Sequence, residues 1–196
     1  MADPLYLSLW FPHFEAIEMM PRAVSVMRQF AFSKQRPGIT YVAVHPVSWA
    51  EPTVLEQRFD PGISPEEAAA IGQDLLHDDY AYTFDAYWDL WVPTQGEQKW
   101  IQRPSPVRFM VHGNEFEHPE AEVGDIQIDV GLDTLFLYDH LQLTTADQDR
   151  LRENVANLVA LTIAVEKNAG TSARLLWSES EENLAQKLIS RLQKVQ

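Results

Sequence analysis

Hydrophobic and polar residues alternate over several short stretches of the chain, and this period of two is typical of β-strands. The clearest stretch covers residues 80–92, where aromatic and apolar side chains share one face. Those side chains belong to Tyr80, Tyr82, Phe84, Ala86, Trp88, Leu90 and Val92. Further strands are predicted at residues 5–11, 39–47, 53–59, 107–113, 124–130, 134–138 and 173–177, with a turn at residues 60–62.

Apolar residues at spacings of three and four predict helices over about residues 21–30, 65–77 and 146–167, and over a C-terminal stretch that begins at residue 178 or 180. The first helix is expected to begin at Pro21, because proline suits the first turn of a helix better than its interior, and the alternative is a longer helix that kinks there. Ser64 and Glu67 have the spacing of a capping box, and Thr145 and Gln148 have the same spacing before the long helix.

These elements predict an α+β fold with a mixed, largely antiparallel sheet or sheets. The first half has the order β-α-β-β-α-β, which allows a ferredoxin-like arrangement. In the second half, strands are followed by a long helix, a short strand and a C-terminal helix. A chain of 196 residues fits a single compact unit. The segment 93–106 is the best candidate for a seam between residues 1–92 and 107–196.

Composition narrows the classes of protein to consider. Hydrophobic residues make up 45% of the chain and aromatic residues 11%, which is enough to form a core. There is no cysteine, so disulfides, a thiolate nucleophile and cysteine-based zinc sites are excluded. The apolar run at residues 5–11 is too short for a signal peptide or a membrane span. A cytoplasmic location is therefore expected.

The net charge of −14 is concentrated in the middle of the chain. Residues 51–150 hold five basic and twenty-one acidic side chains, whereas each end is close to neutral. Binding to nucleic acid or to an anionic membrane needs the opposite sign of charge, and neither is expected. A basic protein partner or a cation suits this charge. The alternative interpretation is that the acidic side chains only keep the protein in solution.

The candidate metal ligands lie in one short run and comprise His112, Glu115, Glu117 and His118. Histidine nitrogens and carboxylates are common ligands of zinc, manganese and iron. On a straight strand the two histidines would be about 20 Å apart. They can share a metal only if Gly113 and Asn114 form a turn, and a solvated hairpin is the alternative interpretation.

A second set of candidate ligand-binding residues lies on the long aromatic strand and comprises Asp85, Tyr87, Trp88, Asp89 and Trp91. Asp85 and Asp89 would be about 13 Å apart at their Cα atoms. Glycosidase chemistry needs two carboxyl groups at about 5–9 Å, so this spacing alone does not pair them. The aromatic rings would suit a sugar or a flat ligand, but packing within a sheet explains them as well.

The sequence contains neither a glycine-rich phosphate loop nor a nucleophile elbow, and no cofactor is expected. The leading hypothesis is therefore a non-catalytic interaction protein that uses residues 51–150. Its partner would be a basic protein or a second copy of the chain in a homodimer. The alternative hypothesis is an enzyme or a binder of small ligands or metals with an aromatic- and carboxylate-lined pocket.

Overall fold

The computed structural model describes residues 3–94, 99–117, 122–137, 143–178 and 184–192. The strands of these segments form one seven-stranded sheet in which every neighbouring pair is antiparallel. They are β1 (Pro4–Trp10), β2 (Ile39–Pro46), β3 (Leu55–Ile63), β4 (Tyr80–Pro93), β5 (Trp100–His112), β6 (Ile126–Leu132) and β7 (Ala173–Ser178). Their order across the sheet is β3-β2-β4-β5-β6-β1-β7.

Four helices pack on one face of this sheet. They are α1 (Ala16–Met27), α2 (Pro65–Gln73), α3 (Thr145–Asn168) and α4 (Leu184–Leu192). Each helix contributes buried apolar side chains to a single core together with alternate residues of the strands. The predicted inner face of β4 is confirmed, because Tyr82, Phe84, Ala86 and Leu90 are all fully buried. The α+β class and the long and C-terminal helices are also confirmed.

Strand pairing defines the order of the strands in the sheet, which the order of elements along the chain could not decide. The order β-α-β-β-α-β is present in the first half of the chain. In the sheet, however, β1 lies between β6 and β7, and β5 and β6 separate it from β4. The two longest strands, β4 and β5, pair over their whole facing length from Ala81–His112 to Pro93–Trp100. Strands from both halves of the sequence therefore share one sheet.

Helix α1 differs from its prediction, because it begins at Ala16 and contains Pro21 in its interior. Proline has no N–H to donate to the carbonyl group of Ile17. The side chain of Ile17 is 72% exposed, so this part of the helix faces water, which can replace the missing donor. Buried side chains extend from Met19 to Met27, and their packing offsets the lost hydrogen bond.

Two predicted strand boundaries are wrong. Residues 60–62 lie inside β3 and do not form a turn after it. The proline at position 61 is tolerated because β3 is an edge strand, and its pairing with β2 is irregular between Ile39 and Tyr41. Residues 134–135 belong to a short 3₁₀ helix, Asp133–Leu135, and not to a strand. Residue 138, at the end of that predicted strand, lies outside the described residues.

The helix caps were predicted with mixed success. The capping box of Ser64 and Glu67 at the start of α2 is confirmed in both of its hydrogen bonds. At α3 the predicted pair is wrong by one residue, because the box is made by Thr144 and Asp147. The carboxylate of Asp147 accepts from the backbone N–H and the hydroxyl group of Thr144 at 3.1 and 2.6 Å. A carboxylate in the first turn also interacts favourably with the helix dipole.

Beyond the start of β2, other segments satisfy the backbone of β4. The N–H of Ser33 donates to the carbonyl group of Tyr87 at 2.6 Å. Asn154 of α3 accepts from the N–H of Trp91 and donates to its carbonyl group, both at 2.9 Å. The same amide group donates to the carbonyl of Leu135 at 2.9 Å. These contacts attach α3 to the sheet at a defined position.

Candidate functional site on the outer sheet face

The face of the sheet opposite the core carries a continuous row of polar and aromatic side chains. One residue of each strand lies directly opposite the next, so that the row crosses all seven strands. In sheet order the row consists of Arg58, Tyr41, Asp85, Arg108, Asp129, Tyr6 and Trp177. We call it the cross-sheet row. Opposite charges alternate at its centre, which stabilises neighbouring strands.

An ion pair between Asp85 and Arg108 forms the centre of this row. Arg108 donates two hydrogen bonds to the two oxygens of Asp85, at 2.7 and 2.8 Å, and the pKa of Arg108 is raised mainly by this interaction. Asp129 lies on the other side of Arg108. Burial raises the pKa of Asp129, although the N–H of Gly131 and the charge of Arg108 act in the opposite direction. Asp129 is thus a half-buried carboxylate beside a guanidinium that is bidentate to another acid.

A cleft of about 250 Å³ lies next to this ion pair. We call it the arginine cleft, and the residues of its wall that matter below are Arg36, Tyr41, Arg58, Asp60, Asp85 and Tyr87. The guanidinium carbon of Arg36 is 3.8 Å from the centre of the Tyr87 ring. That of Arg58 is 5.1 Å from the centre of the Tyr41 ring. Both distances are within the range of cation–π interactions.

Three loops meet at the end of the sheet where β2 and β5 finish. They cover residues 47–51, 77–79 and 113–117, and we call this region the acidic loop end. Its acidic residues are Glu51, Asp78, Asp79, Glu115 and Glu117, and it contains no lysine or arginine. Backbone hydrogen bonds join the loops: the N–H of Glu115 donates to the carbonyl of Asp78 at 2.9 Å, and the N–H of Glu117 donates to that of Val47 at 2.8 Å.

An aromatic cluster supports the acidic loop end. The ring of Trp49 lies 4.8 Å from His45, 5.8 Å from His112 and 5.0 Å from Phe116, measured between ring centres. Trp49 is still 41% exposed. Burial is the main cause that lowers the pKa of His45, so its ring is neutral at neutral pH. The cluster therefore presents the partly exposed ring of Trp49 at the acidic loop end.

Val47 adopts a conformation that is unusual for its side chain. Its φ angle is +60°, in the left-handed region that a β-branched residue rarely occupies. Hydrogen bonds hold it on both sides, because its N–H donates to the carbonyl of Asp79 at 2.7 Å and its carbonyl accepts from Glu117. Such conformations persist where the surroundings determine them strongly. The three loops thus form a defined surface.

The predicted ligand-binding residues of β4 are divided between different surroundings. Asp85 and Tyr87 line the arginine cleft. Trp88 points to the core side, and with Asp89 it lines a separate cavity of about 420 Å³ between β4, α3 and residues 29–34. Trp91 donates its indole N–H to Glu153 at 2.7 Å. The structure thus does not bring these five residues into one pocket.

Asp89 has a structural role in this arrangement. Its carboxylate accepts from the hydroxyl group of Ser33 at 2.6 Å and from the backbone N–H of Lys34 at 3.0 Å. The hydroxyl oxygen of Ser33 in turn accepts from the backbone N–H groups of Gln35 and Arg36, at 3.1 and 3.2 Å. This network fixes the loop after α1 against β4. It also places Arg36 at the arginine cleft.

The predicted metal ligands are only partly described. The turn that they require exists, because the N–H of Phe116 donates to the carbonyl of Gly113 at 3.0 Å. His112 is buried, whereas Glu115 and Glu117 are exposed at the acidic loop end. The fourth predicted ligand, His118, lies outside the described residues. Within the segments that the structure describes, no three histidine or acidic side chains come close enough to hold a metal ion.

Sequence reasoning did not identify Arg36, Arg58 or Trp49 as functional candidates. Arg36 precedes a Pro-Gly pair, Arg58 falls within the predicted strand 53–59, and Trp49 falls between two predicted strands. No local motif marks them, because their significance depends on strand register and on loops that meet only in the folded chain. The concentration of acidic residues in the middle of the chain was the one signal that pointed towards the acidic loop end.

Comparison with known proteins leaves the site to be interpreted from its own geometry. No protein-family model, curated protein or solved structure matches the chain. Among the helices of the described segments, none has the length and apolar character needed to cross a bilayer.

Proposed function

We propose that this protein is a non-catalytic interaction protein that binds a basic protein partner through the acidic loop end. The observation that carries this proposal is the convergence of three separate loops that together carry five acidic residues. Within the described residues, none of the five makes an ion pair, whereas several acids elsewhere do. A surface with this density of unpaired negative charge attracts lysine- and arginine-rich partners and speeds their association.

Trp49 gives this surface an anchor as well as a charge. Tryptophan is enriched among the residues that contribute most to protein interfaces. An exposed indole ring can also bind lysine and arginine side chains through cation–π interactions. An aromatic centre surrounded by carboxylates is therefore complementary to a basic segment. Self-association is the competing explanation. It requires a basic region of the second chain to cover this surface, because two copies of the surface would repel each other.

The test is capture from an extract of the source cells on immobilised protein, at low salt and at about 0.5 M salt, where the Debye length is only a few ångströms. We expect a basic protein to bind at low salt and to be released at high salt. The double variant Glu115→Gln/Glu117→Gln should retain about tenfold less of it. The double variant Glu56→Gln/Glu153→Gln changes the net charge equally at exposed positions of β3 and α3 and should bind as the wild type does.

Two results would contradict the proposal. One is equal capture by the two double variants, because binding would then depend on net charge and not on this surface. The other is a captured protein that is itself acidic. Light scattering on the purified protein distinguishes self-association from binding of a basic partner. If the wild type is a dimer and Glu115→Gln/Glu117→Gln is a monomer, the surface binds a second copy instead.

A further inference from the structure

Most of the arginines that the structure describes make ion pairs with acids, but some do not. The structure describes nine arginine side chains. Six of them make ion pairs with acids, namely Arg22, Arg28, Arg108, Arg150, Arg152 and Arg174. The chain has 29 acidic residues and only 15 basic ones, so an arginine without an acidic partner is unexpected. Within the described residues Arg36, Arg58 and Arg103 lack one, and the first two lie together in the arginine cleft.

The position of Arg36 is determined by its loop. The network of Asp89 and Ser33 holds the backbone of residues 33–36, and Ser33 accepts from the N–H of Arg36 itself at 3.2 Å. The guanidinium group then lies over the ring of Tyr87 at 3.8 Å. A ring contact orients a guanidinium without using its N–H groups. Those donors remain available to a ligand.

Arg58 is held from the opposite wall. It lies directly across from Tyr41 in the pairing of β3 and β2, and its guanidinium group is near the Tyr41 ring. Burial, followed by the carboxylate of Glu56, raises the pKa of Tyr41, so its hydroxyl group keeps its proton at neutral pH. The phenol is therefore a hydrogen-bond donor beside the second guanidinium.

The acids of the cleft make no ion pair with Arg36 or Arg58. Asp85 is bidentate to Arg108, which satisfies both of its oxygens from outside the cleft. Asp60 is exposed. The wall of the cleft thus contains two guanidinium groups and two carboxylates, and neither guanidinium group makes an ion pair with a described acid. In a protein with a net charge of −14 this is a place where positive charge is not outnumbered.

We propose that the arginine cleft binds a small anion that carries a carboxylate or phosphate group. Two fixed guanidinium groups supply the charge-assisted hydrogen bonds that such oxygens accept best. The volume of about 250 Å³ is below the usual range for drug-sized ligands, so the ligand is compact. This site is independent of the proposed function, because Tyr41 lies about 13 Å along β2 from His45 and the acidic loop end.

The experiment combines thermal stability with NMR spectroscopy, using inorganic phosphate and succinate as probes at constant ionic strength set with chloride. Binding to the native state must raise the melting temperature in a saturable way, here by a few degrees. The side-chain Nε–H signals of Arg36 and Arg58 should shift along the same saturation curve. A response to phosphate alone or to succinate alone identifies which anionic group the cleft prefers.

The double variant Arg36→Gln/Arg58→Gln should lose about tenfold or more in affinity, since it removes the charged hydrogen bonds of both guanidinium groups. Arg103→Gln is the matched control, because it removes an arginine that also lacks an acidic partner but lies outside the cleft. Equal stabilisation of all three proteins would show a general salt effect and would overturn the proposal. The proposal would also be overturned if neither arginine signal shifted in a saturable way in the wild type. This result does not depend on any variant.

Discussion

At the scale of single residues, Asp129 combines a position on the outer face of the sheet with partial burial. It alternates with apolar residues along β6, a pattern that favours the solvated face for its carboxylate. The structure places it half-buried beside Arg108, and burial raises its pKa. A raised pKa means that the folded protein holds the proton more tightly than the unfolded chain. The associated stability is present below the ordinary pKa of about 3.8 and is lost as the pH rises through the folded value.

Asp129→Asn should therefore raise the free energy of unfolding at about pH 7, and the gain should shrink as the pH falls below the ordinary pKa of aspartate. The amide oxygen can still accept from the N–H of Gly131. Urea unfolding at about pH 7 and at a pH below the ordinary pKa of aspartate measures the difference in unfolding free energy between the variant and the wild type. Glu56→Gln, at an exposed position on β3, controls for the general effect of removing one negative charge. A gain no larger than that of Glu56→Gln would contradict the argument.

At the scale of elements, one polar side chain determines how α3 meets the sheet. Asn154 is fully buried, and its amide group makes three hydrogen bonds to the backbone at Trp91 and Leu135. Buried backbone groups without partners are costly, so this amide stabilises both the helix position and the end of β4. A pattern of apolar residues alone would have placed an asparagine on the outer side of the helix.

Asn154→Ala should lower the free energy of unfolding by about 2–4 kcal/mol, because it leaves buried N–H and carbonyl groups of the strand unpaired. Chemical denaturation measures this loss. Asn157→Ala, one turn further along α3, is the control, since its side chain is exposed and it should change stability by less than about 0.5 kcal/mol. Similar losses in both variants would show that the effect comes from the helix and not from its contact with β4.

At the scale of the whole molecule, the distribution of charge matters more than any single ion pair. The net charge is −14, and the described ion pairs are mostly exposed pairs at the surface, each of which contributes little. The acidic loop end adds five acidic residues and contains no lysine or arginine. Self-repulsion therefore destabilises the folded state at neutral pH and low salt.

Raising the sodium chloride concentration from about 0.02 to about 0.3 M should increase the melting temperature, because the Debye length falls and the repulsion between carboxylates is screened. Scanning calorimetry measures the shift. The same salt series close to pH 4.7, the isoelectric point of the sequence, is the control, since the net charge is near zero there. A melting temperature that is independent of salt at neutral pH would show that the acids do not repel one another significantly.

The sequence by itself determined the elements and the buried face of the sheet. Alternation at residues 80–92 identified β4 and its inner side chains, and the spacing of Ser64 and Glu67 located the start of α2. These features are local, because a strand or a capped helix is encoded by residues within a few positions of one another. Distant contacts outweighed a local signal at Pro21, where packing keeps α1 helical through a proline.

Only the tertiary structure decided which residues form the candidate sites. The cross-sheet row depends on the register of six strand pairs, and a shift of one residue would send each side chain to the other face. The arginine cleft joins Arg36 to Arg58 through a loop held by Asp89, and the acidic loop end joins three segments far apart in the chain. Such contacts depend on long-range packing and leave no pattern within a short window of sequence.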